Sequence, residues 1–339
     1  MSNNNVKTTE PVVGVNDKEN INEPFLKVED LVVEYTSYGE IIHAVNGVSL
    51  QLERGKTLGL VGETGAGKTT IAKSILGILP KFSSSIKRGQ VFIDGQDLLS
   101  LPEKEMQKIR GNKIAMIFQD PMTALNPIIP VGKQISEAIQ LHYNVSAKES
   151  AERAIEMLEM AGITGERYND YPHQFSGGMK QRVVIAMALA CRPELLLADE
   201  PTTALDVTIQ AQILEMIKEL RDKFNMALIL ITHDFGVVAE LCDEVAVVYA
   251  GEIIESGTKE DIFIHPTHPY TIGLFDSIPH IDSDADRLKP IAGLPPNPAV
   301  LPKGCHFSPR CPKATDECRD QPIPMVETSP GHFCRCCHI

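Results

Sequence analysis

The sequence predicts an α/β protein built on a mostly parallel sheet covered on both faces. Three observations predict it. The apolar segment Thr57 to Val61 reads as a short buried strand and leads through a glycine-rich loop into Thr70 to Leu79, where apolar residues fall at helical spacing. Glu194 to Glu200 is a continuous apolar run ending in two acids, the pattern of a central parallel strand that delivers carboxylates at its C-terminal end. Ala227 to Thr232 is a second such run, and segments of helical period separate the strands.

Each element follows in order. From Phe25 to Glu53 apolar and polar residues alternate (Leu31, Val33, Tyr35, then Ile41, Ala44, Val48, Leu50) around a turn at Gly39, which is an antiparallel strand pattern. Gly89 to Asp94 is another strand, turned at Gly95, and Ile114 to Phe118 is a further one that ends in Gln119 and is broken by Asp120-Pro121. The next seventy or so residues read as mostly helical. Ser146 and Glu149 have capping-box spacing, Ala151, Ala154, Ile155 and Leu158 share a face, and Gly162 stops that helix. Phe175-Ser176-Gly177-Gly178 precedes a helix running through Ala190, and Ile209 to Phe224 is helical by the spacing of Ile213, Ile217 and Leu220. Val245 to Tyr249 and Glu252 to Glu255 flank Ala250-Gly251 as a hairpin. Beyond about His265 the composition shifts to Pro, Gly and Cys with little periodicity, which marks a domain boundary.

The loop Gly62-Glu63-Thr64-Gly65-Ala66-Gly67-Lys68-Thr69 fits G-x-x-x-x-G-K-S/T in the strand, loop and helix context that the pattern requires. Glycines let the backbone curl so that N–H groups point at phosphate oxygens at the positive end of the next helix. Lys68 would reach the β- and γ-phosphates and Thr69 would place its hydroxyl on Mg²⁺; Gly62 through Thr70 is the candidate nucleotide-contact run. Asp199 would bind Mg²⁺ directly or through water. Glu200, expected to point the other way along the pleat, is the candidate general base. Gln119 and His233, both at strand ends, are candidate sensors of metal, water or γ-phosphate. Ser176, Gly177 and Gly178 before a helix make a second anion cradle, most economically one that closes over a nucleotide held by another subunit. Tyr35 is placed where an exposed aromatic can stack on a purine.

A net charge of −13 spread along 339 residues argues against a nucleic-acid surface. No run of about 18 apolar residues is present to span a bilayer. Residues 1–24 lack the regions of a signal peptide and read as a disordered cytosolic tail. Cys191 and Cys242 have apolar neighbours and read as core residues, whereas Cys305, Cys311, Cys318, Cys334, Cys336 and Cys337 crowd the C-terminus, which in a chain without an export signal suggests metal. Four thiolates on an irregular loop can hold zinc or an iron–sulfur cube. His265, His268, His306, His332 and His338 read as solvated or capping residues.

The ordered set Gly62 to Thr69, Gln119, Ser176-Gly-Gly-Met-Lys-Gln181, Leu195 to Glu200, Ala204-Leu205-Asp206 and His233 resembles the ATP-binding subunit of an ABC transporter. The resemblance covers residues 25–265, with a helical subdomain over about 120–190, and leaves 266–339 as a small irregular Cys-rich region. It implies a Walker A loop, Q-loop glutamine, signature motif, Walker B strand, D-loop with Asp206 facing nucleotide, and switch histidine. It also implies that Gln119 joins Thr69 and Asp199 at Mg²⁺ and that Tyr35 stacks on adenine, with Tyr38 close enough to compete. The signature reads Phe-Ser-Gly-Gly-Met where Leu-Ser-Gly-Gly-Gln is commoner. Ile109 to Pro127, His268-Pro-Tyr-Thr271 and Gly304 to Pro312 are similar to the D-type ATPase of oligopeptide or dipeptide permeases. That similarity implies a paralogous second ATPase, two permease subunits and an extracellular binding protein, with the chain at the cytoplasmic face of the membrane. It further implies a 4Fe–4S cluster at Cys305, Cys311, Cys318 and Cys336, with Cys334 and Cys337 competing for the fourth place and zinc the alternative.

A nickel-importer branch shares much of this pattern. Of the other classes, a repair ATPase would carry long coiled coils and a translation factor two cassettes, and this chain has neither a sustained heptad stretch nor a second phosphate loop. An exporter cassette would not be expected to carry the cysteine tail.

Overall fold

The computed structural model describes residues 24–203, 205–277 and 290–339. The expected N-terminal tail, apart from Pro24, and Ala204 lie outside them. The chain opens with β1 (Leu26–Ser37) and β2 (Glu40–Leu52), then β3 (Thr57–Val61) feeds α1 (Lys68–Leu76), followed by β4 (Ser84–Ile93), β5 (Gln96–Asp97), α2 (Glu103–Ile109) and β6 (Ile114–Ile117). Four helices follow without a strand, α3 (Pro121–Ala124), α4 (Val131–His142), α5 (Ala147–Met160) and α6 (Gly177–Leu189). Then come β7 (Leu195–Asp199), α7 (Val207–Phe224), β8 (Ala227–Ile231), α8 (Phe235–Leu241), β9 (Glu244–Tyr249), β10 (Glu252–Thr258), α9 (Lys259–Ile264) and α10 (Pro269–Asp276). The C-terminal region adds α11 (Glu317–Asp320), β11 (Val326–Ser329) and β12 (His332–Cys334).

Two sheets result. The smaller is antiparallel in the order β2-β1-β4-β5. The larger runs β11-β12-β10-β9-β3-β8-β7-β6, with β9, β3, β8, β7 and β6 mutually parallel and the β10, β12, β11 edge antiparallel.

The central strands read as unbroken apolar runs because both of their faces are buried. In β7, Leu196 and Ala198 join the core beneath the helical segment, while Leu195 and Leu197 join the core that holds α1 and the small sheet. β8 alternates in the same way, with Leu228 and Leu230 on one face and Ala227, Ile229 and Ile231 on the other. This parity decides the chemistry, because Asp199 falls on the face of Leu195 and Leu197, where α1 begins.

Caps set the helix ends. Ser146 accepts a hydrogen bond from the Glu149 N–H at 3.1 Å, Asp206 from Ile209 N–H at 3.0 Å, and Asn225 closes α7 in the left-handed conformation at φ 49°. Described residues beyond His265 pack onto the main core. Tyr270 and Phe307 are fully buried in the main core, and β12 pairs with β10 through Glu255–Cys334 and Ser256–Phe333. Short elements of the C-terminal region lie against that edge of the larger sheet.

Candidate active site

The loop between β3 and α1 closes around Lys68. The residue is only 6% exposed, and its ammonium donates to the carbonyl oxygens of Gly62 at 2.7 Å and Glu63 at 2.9 Å, which leaves one of its three donors for a phosphate. Burial lowers its pKa, against the charges of Glu200, Asp199 and Glu63. Gly62 lies at φ 145° and Gly67 at φ 107°; a Cβ at the first would strike the Val248 carbonyl and at the second the Ala44 carbonyl, so both positions demand glycine.

Thr69, in the first turn of α1, donates its hydroxyl to Asp199 Oδ1 at 3.0 Å. These are the two oxygen donors that a Mg²⁺ bound with nucleotide would use. Burial raises the Asp199 pKa, opposed by the Thr69 hydrogen bond.

Glu200 departs from the expected pleat. The chain leaves the sheet there at φ 47°, a left-handed conformation that a non-glycine residue adopts only under restraint, and the carboxylate turns into the cleft. Three contacts hold it: Gln119 Nε2 and Thr203 Oγ1 each donate to Oε2 at 2.8 Å, and the Glu200 N–H donates to the Ile231 carbonyl at 2.8 Å. His233 Nδ1 lies 3.4 Å from Oε1, with its side chain 71% exposed. Burial works to raise the Glu200 pKa, but the Thr203 and His233 contacts outweigh it and hold it below the ordinary carboxylate value.

Thr64 through Thr70, Gln119, Glu200 and His233 line one cleft of about 350 Å³ with Ile42, Ala44, Ile231 and Pro298. Asp199 reaches it through Thr69. Tyr35 does not line the cleft itself, and its hydroxyl is 3.4 Å from Thr70 Oγ1. The Glu63 side chain turns away toward the C-terminal region. Ser176, Gly177 and Gly178 open α6 elsewhere on the surface, with the Ser176 hydroxyl accepting from Met179 N–H at 3.4 Å. Asp206 caps α7 in this chain. Buried Gln181 donates to the Pro201 carbonyl, tying the helix behind the second cradle to the turn after Glu200.

Cys305, Cys311, Cys318, Cys336 and Cys337 line a small void together with His268 and His338. Cys318 Sγ is 2.9 Å from Cys337 Sγ and 3.4 Å from His338 Nε2. Burial works to raise the Cys318 thiol, but hydrogen bonds from Cys337, Thr315 and His338 bring it down to about 7. Cys334 is buried in β12 opposite Glu255 and does not line this void. His338 and His268, both expected to be solvated or capping, line the void with the thiols. His268 caps α10, and His332 pairs with buried Glu255 at 2.9 Å.

Several residues were not anticipated. Thr203 restrains Glu200, Pro298 walls the cleft, and Tyr270 and Arg310 touch Glu63. Only Tyr270 and Arg310 had a sequence signal, as members of the segments that narrowed the subfamily.

A phosphate loop facing an ordered acid pair, with a Ser-Gly-Gly helix start outside the cleft, defines an ATP-hydrolysing cassette. Residues 45–203 match the family described as ABC transporter, and 254–318 match the oligopeptide/dipeptide transporter C-terminal region. The dipeptide transport ATP-binding protein DppD of Bacillus subtilis is 52% identical over 87% of this chain and 89% of its own length. The oligopeptide transport ATP-binding protein OppD of Escherichia coli is 47% identical over 92% of each. Among solved structures, the ATP-binding cassette MJ0796, a dimer in a post-hydrolysis state bound to ADP and Pi, matches with a TM-score of 0.62 at 30% identity, covering 69% of this chain and 98% of that one. The chain belongs to the ATP-binding subunits of the oligopeptide/dipeptide ABC transporters.

Proposed function

We propose that this chain hydrolyses ATP to power import of peptides through a membrane permease. The observation that carries the chemistry is the Glu200 carboxylate, aimed into the Lys68–Thr69 cleft by Gln119 and Thr203. Glu200 accepts a proton from the attacking water, Lys68 neutralises charge on the transferred phosphoryl group, and His233 contacts the γ-phosphate from the rim. Thr69 and Asp199, with Gln119 nearby, would hold Mg²⁺, whose positive charge would help to offset charge on the phosphates. Peptide cargo is supported by the dipeptide and oligopeptide names of the relatives and by the matched C-terminal region. Nickel cargo is not favoured.

Among the described residues no helix is long and apolar enough to cross a membrane. Two permeases, a paralogous second ATPase and an extracellular binding protein complete our reading of the assembly, with this chain peripheral on the cytoplasmic face. The second cradle, Ser176 to Gly178 with Asp206 behind it, would close on the partner ATPase's nucleotide.

Five thiols ring the void, and Cys318, Cys337 and His338 lie within metal-ligand reach of one another, which is the donor chemistry that a thiolate-held group takes. Cys305, Cys311, Cys318 and Cys336, with Cys337 adjacent, would hold a 4Fe–4S cluster or Zn²⁺. Such a group would tie the loop from Cys305 to Cys318 to the C-terminal end.

Uptake of labelled dipeptides, oligopeptides and nickel by source cells carrying wild-type or Glu200→Gln chain tests the reading. Peptide uptake is expected to fall with nickel uptake intact; the reverse would move the chain to a metal importer.

A further inference from the structure

Glu63 occupies a variable position of the phosphate loop, yet each of its polar groups is engaged. Its carbonyl accepts from Lys68 Nζ at 2.9 Å, and its N–H donates to the Tyr270 hydroxyl at 2.9 Å. Its two carboxylate oxygens receive the Arg310 fork, from the two terminal nitrogens at 2.8 and 3.0 Å. Two of these three partners come from the C-terminal region, more than 200 residues away in sequence.

Arg310 is a junction. Its side chain is 4% exposed, its Nε donates to the Ala292 carbonyl at 3.0 Å, and it also reaches the Ile291 carbonyl and the Tyr249 hydroxyl. Tyr249, Tyr270 and Phe307 pack ring against ring beside it, with centroids 4.5 to 5.3 Å apart. The segment that follows Ile291 and Ala292 then crosses β2, where the Pro298 carbonyl accepts from His43 N–H at 2.9 Å and Pro298 walls the cleft beside Ile42 and Ala44. The phosphate loop and the cleft wall are thus anchored to one buried guanidinium.

We propose that the C-terminal region is a working part of the nucleotide site, with Arg310 the positioning residue that holds the phosphate loop through Glu63 and the cleft wall through residues 291–298. A planar fork bonded to a carboxylate on one side and to carbonyls on the other fixes orientation as an ammonium cannot, so lysine is not an equivalent here. Because Arg310 lies outside the cleft-lining set, its loss acts on how the loop is presented to phosphates, and the reacting atoms are unaffected once nucleotide is bound.

The test is equilibrium binding of a fluorescent N-methylanthraniloyl ATP with Mg²⁺ to the full chain, in wild type, Arg310→Gln, Arg310→Lys, Glu63→Gln, the Glu63→Gln/Arg310→Gln double variant and Tyr270→Phe. Arg310→Gln is expected to weaken binding about tenfold and Arg310→Lys to recover only part of it. The double variant should bind no worse than Arg310→Gln, since the two side chains act as one unit. Tyr270→Phe keeps the packed ring and removes one acceptor, for roughly a three- to tenfold loss. In the assembled transporter the KM for ATP should rise with kcat within about twofold. Tyr270→Phe guards against an unfolded Arg310 variant. Arg310→Gln and Tyr270→Phe binding nucleotide like wild type, or losses at Glu63 and Arg310 that simply multiply, would overturn the proposal.

Discussion

The side-chain amide of Gln119 donates to the Glu200 carboxylate at 2.8 Å across 81 residues of chain, joining the exit of β6 to the exit of β7. The bond connects the entrance of the helical segment α3 to α6 to the acid that faces phosphate. Glu200→Gln preserves shape and removes the base, so the variant should retain ATP while hydrolysis falls by a factor on the order of 10² to 10⁴. Gln119→Ala leaves the base in place and should reduce turnover less. Single-turnover hydrolysis measures both; a normal rate in Glu200→Gln would move the base elsewhere.

Lys68→Ala removes a buried ammonium whose two carbonyl partners, Gly62 and Glu63, would lose their shared donor. Nucleotide binding should drop below detection at millimolar ATP, and hydrolysis with it. Calorimetric titration checks this, and wild-type affinity would sink the assignment of the phosphate loop.

Much of this arrangement was legible in the sequence, for identifiable reasons. The parallel core announced itself because Leu195 to Ala198 and Ala227 to Ile231 are buried on both faces and so must be apolar throughout. The phosphate loop was legible because Gly62 and Gly67 adopt conformations that other residues resist. Glu200's orientation was not, since a positive φ at a glutamate leaves no trace in hydrophobic pattern and a simple pleat predicts the opposite side. The roles of Pro298 and Arg310 were not legible for a related reason: they rest on neighbours far away in the chain, Ile42, Ala44 and Glu63, which local spacing cannot encode. Cys334 and Cys337 could not be ranked until β12 turned Cys334 against β10 and left Cys336 and Cys337 at the void.

The thiols separate into two predicted groups. Cys311→Ser should lower the iron and sulfide, or the zinc, carried by anaerobically purified protein, because Cys311 lines the void. Cys334→Ser should leave that content unchanged. Metal and acid-labile sulfide analysis distinguishes iron–sulfur from zinc, and equal metal loss in both variants would mean that the void is not the binding place.

His268 makes the C-terminal anchor sensitive to acid. Its ring is 1% exposed and its Nδ1 accepts from Tyr270 N–H at 3.0 Å, so the folded protein holds it neutral; burial lowers its pKa to about 3. An unfolded chain protonates the same ring near its ordinary value of about 6.5. Between those two values the unfolded state binds the extra proton, so the stability that His268 permits is complete above about pH 6.5 and is lost as pH falls toward 3. From pH 7 to pH 5 the loss from this one group is roughly 2 kcal/mol. His268→Asn keeps an acceptor at the helix cap and cannot titrate. Urea unfolding at pH 7 and pH 5 should therefore show the variant losing about 2 kcal/mol less than wild type over that interval. Parallel losses in the two proteins would show that the ring is protonated, or reached by water, in the folded state.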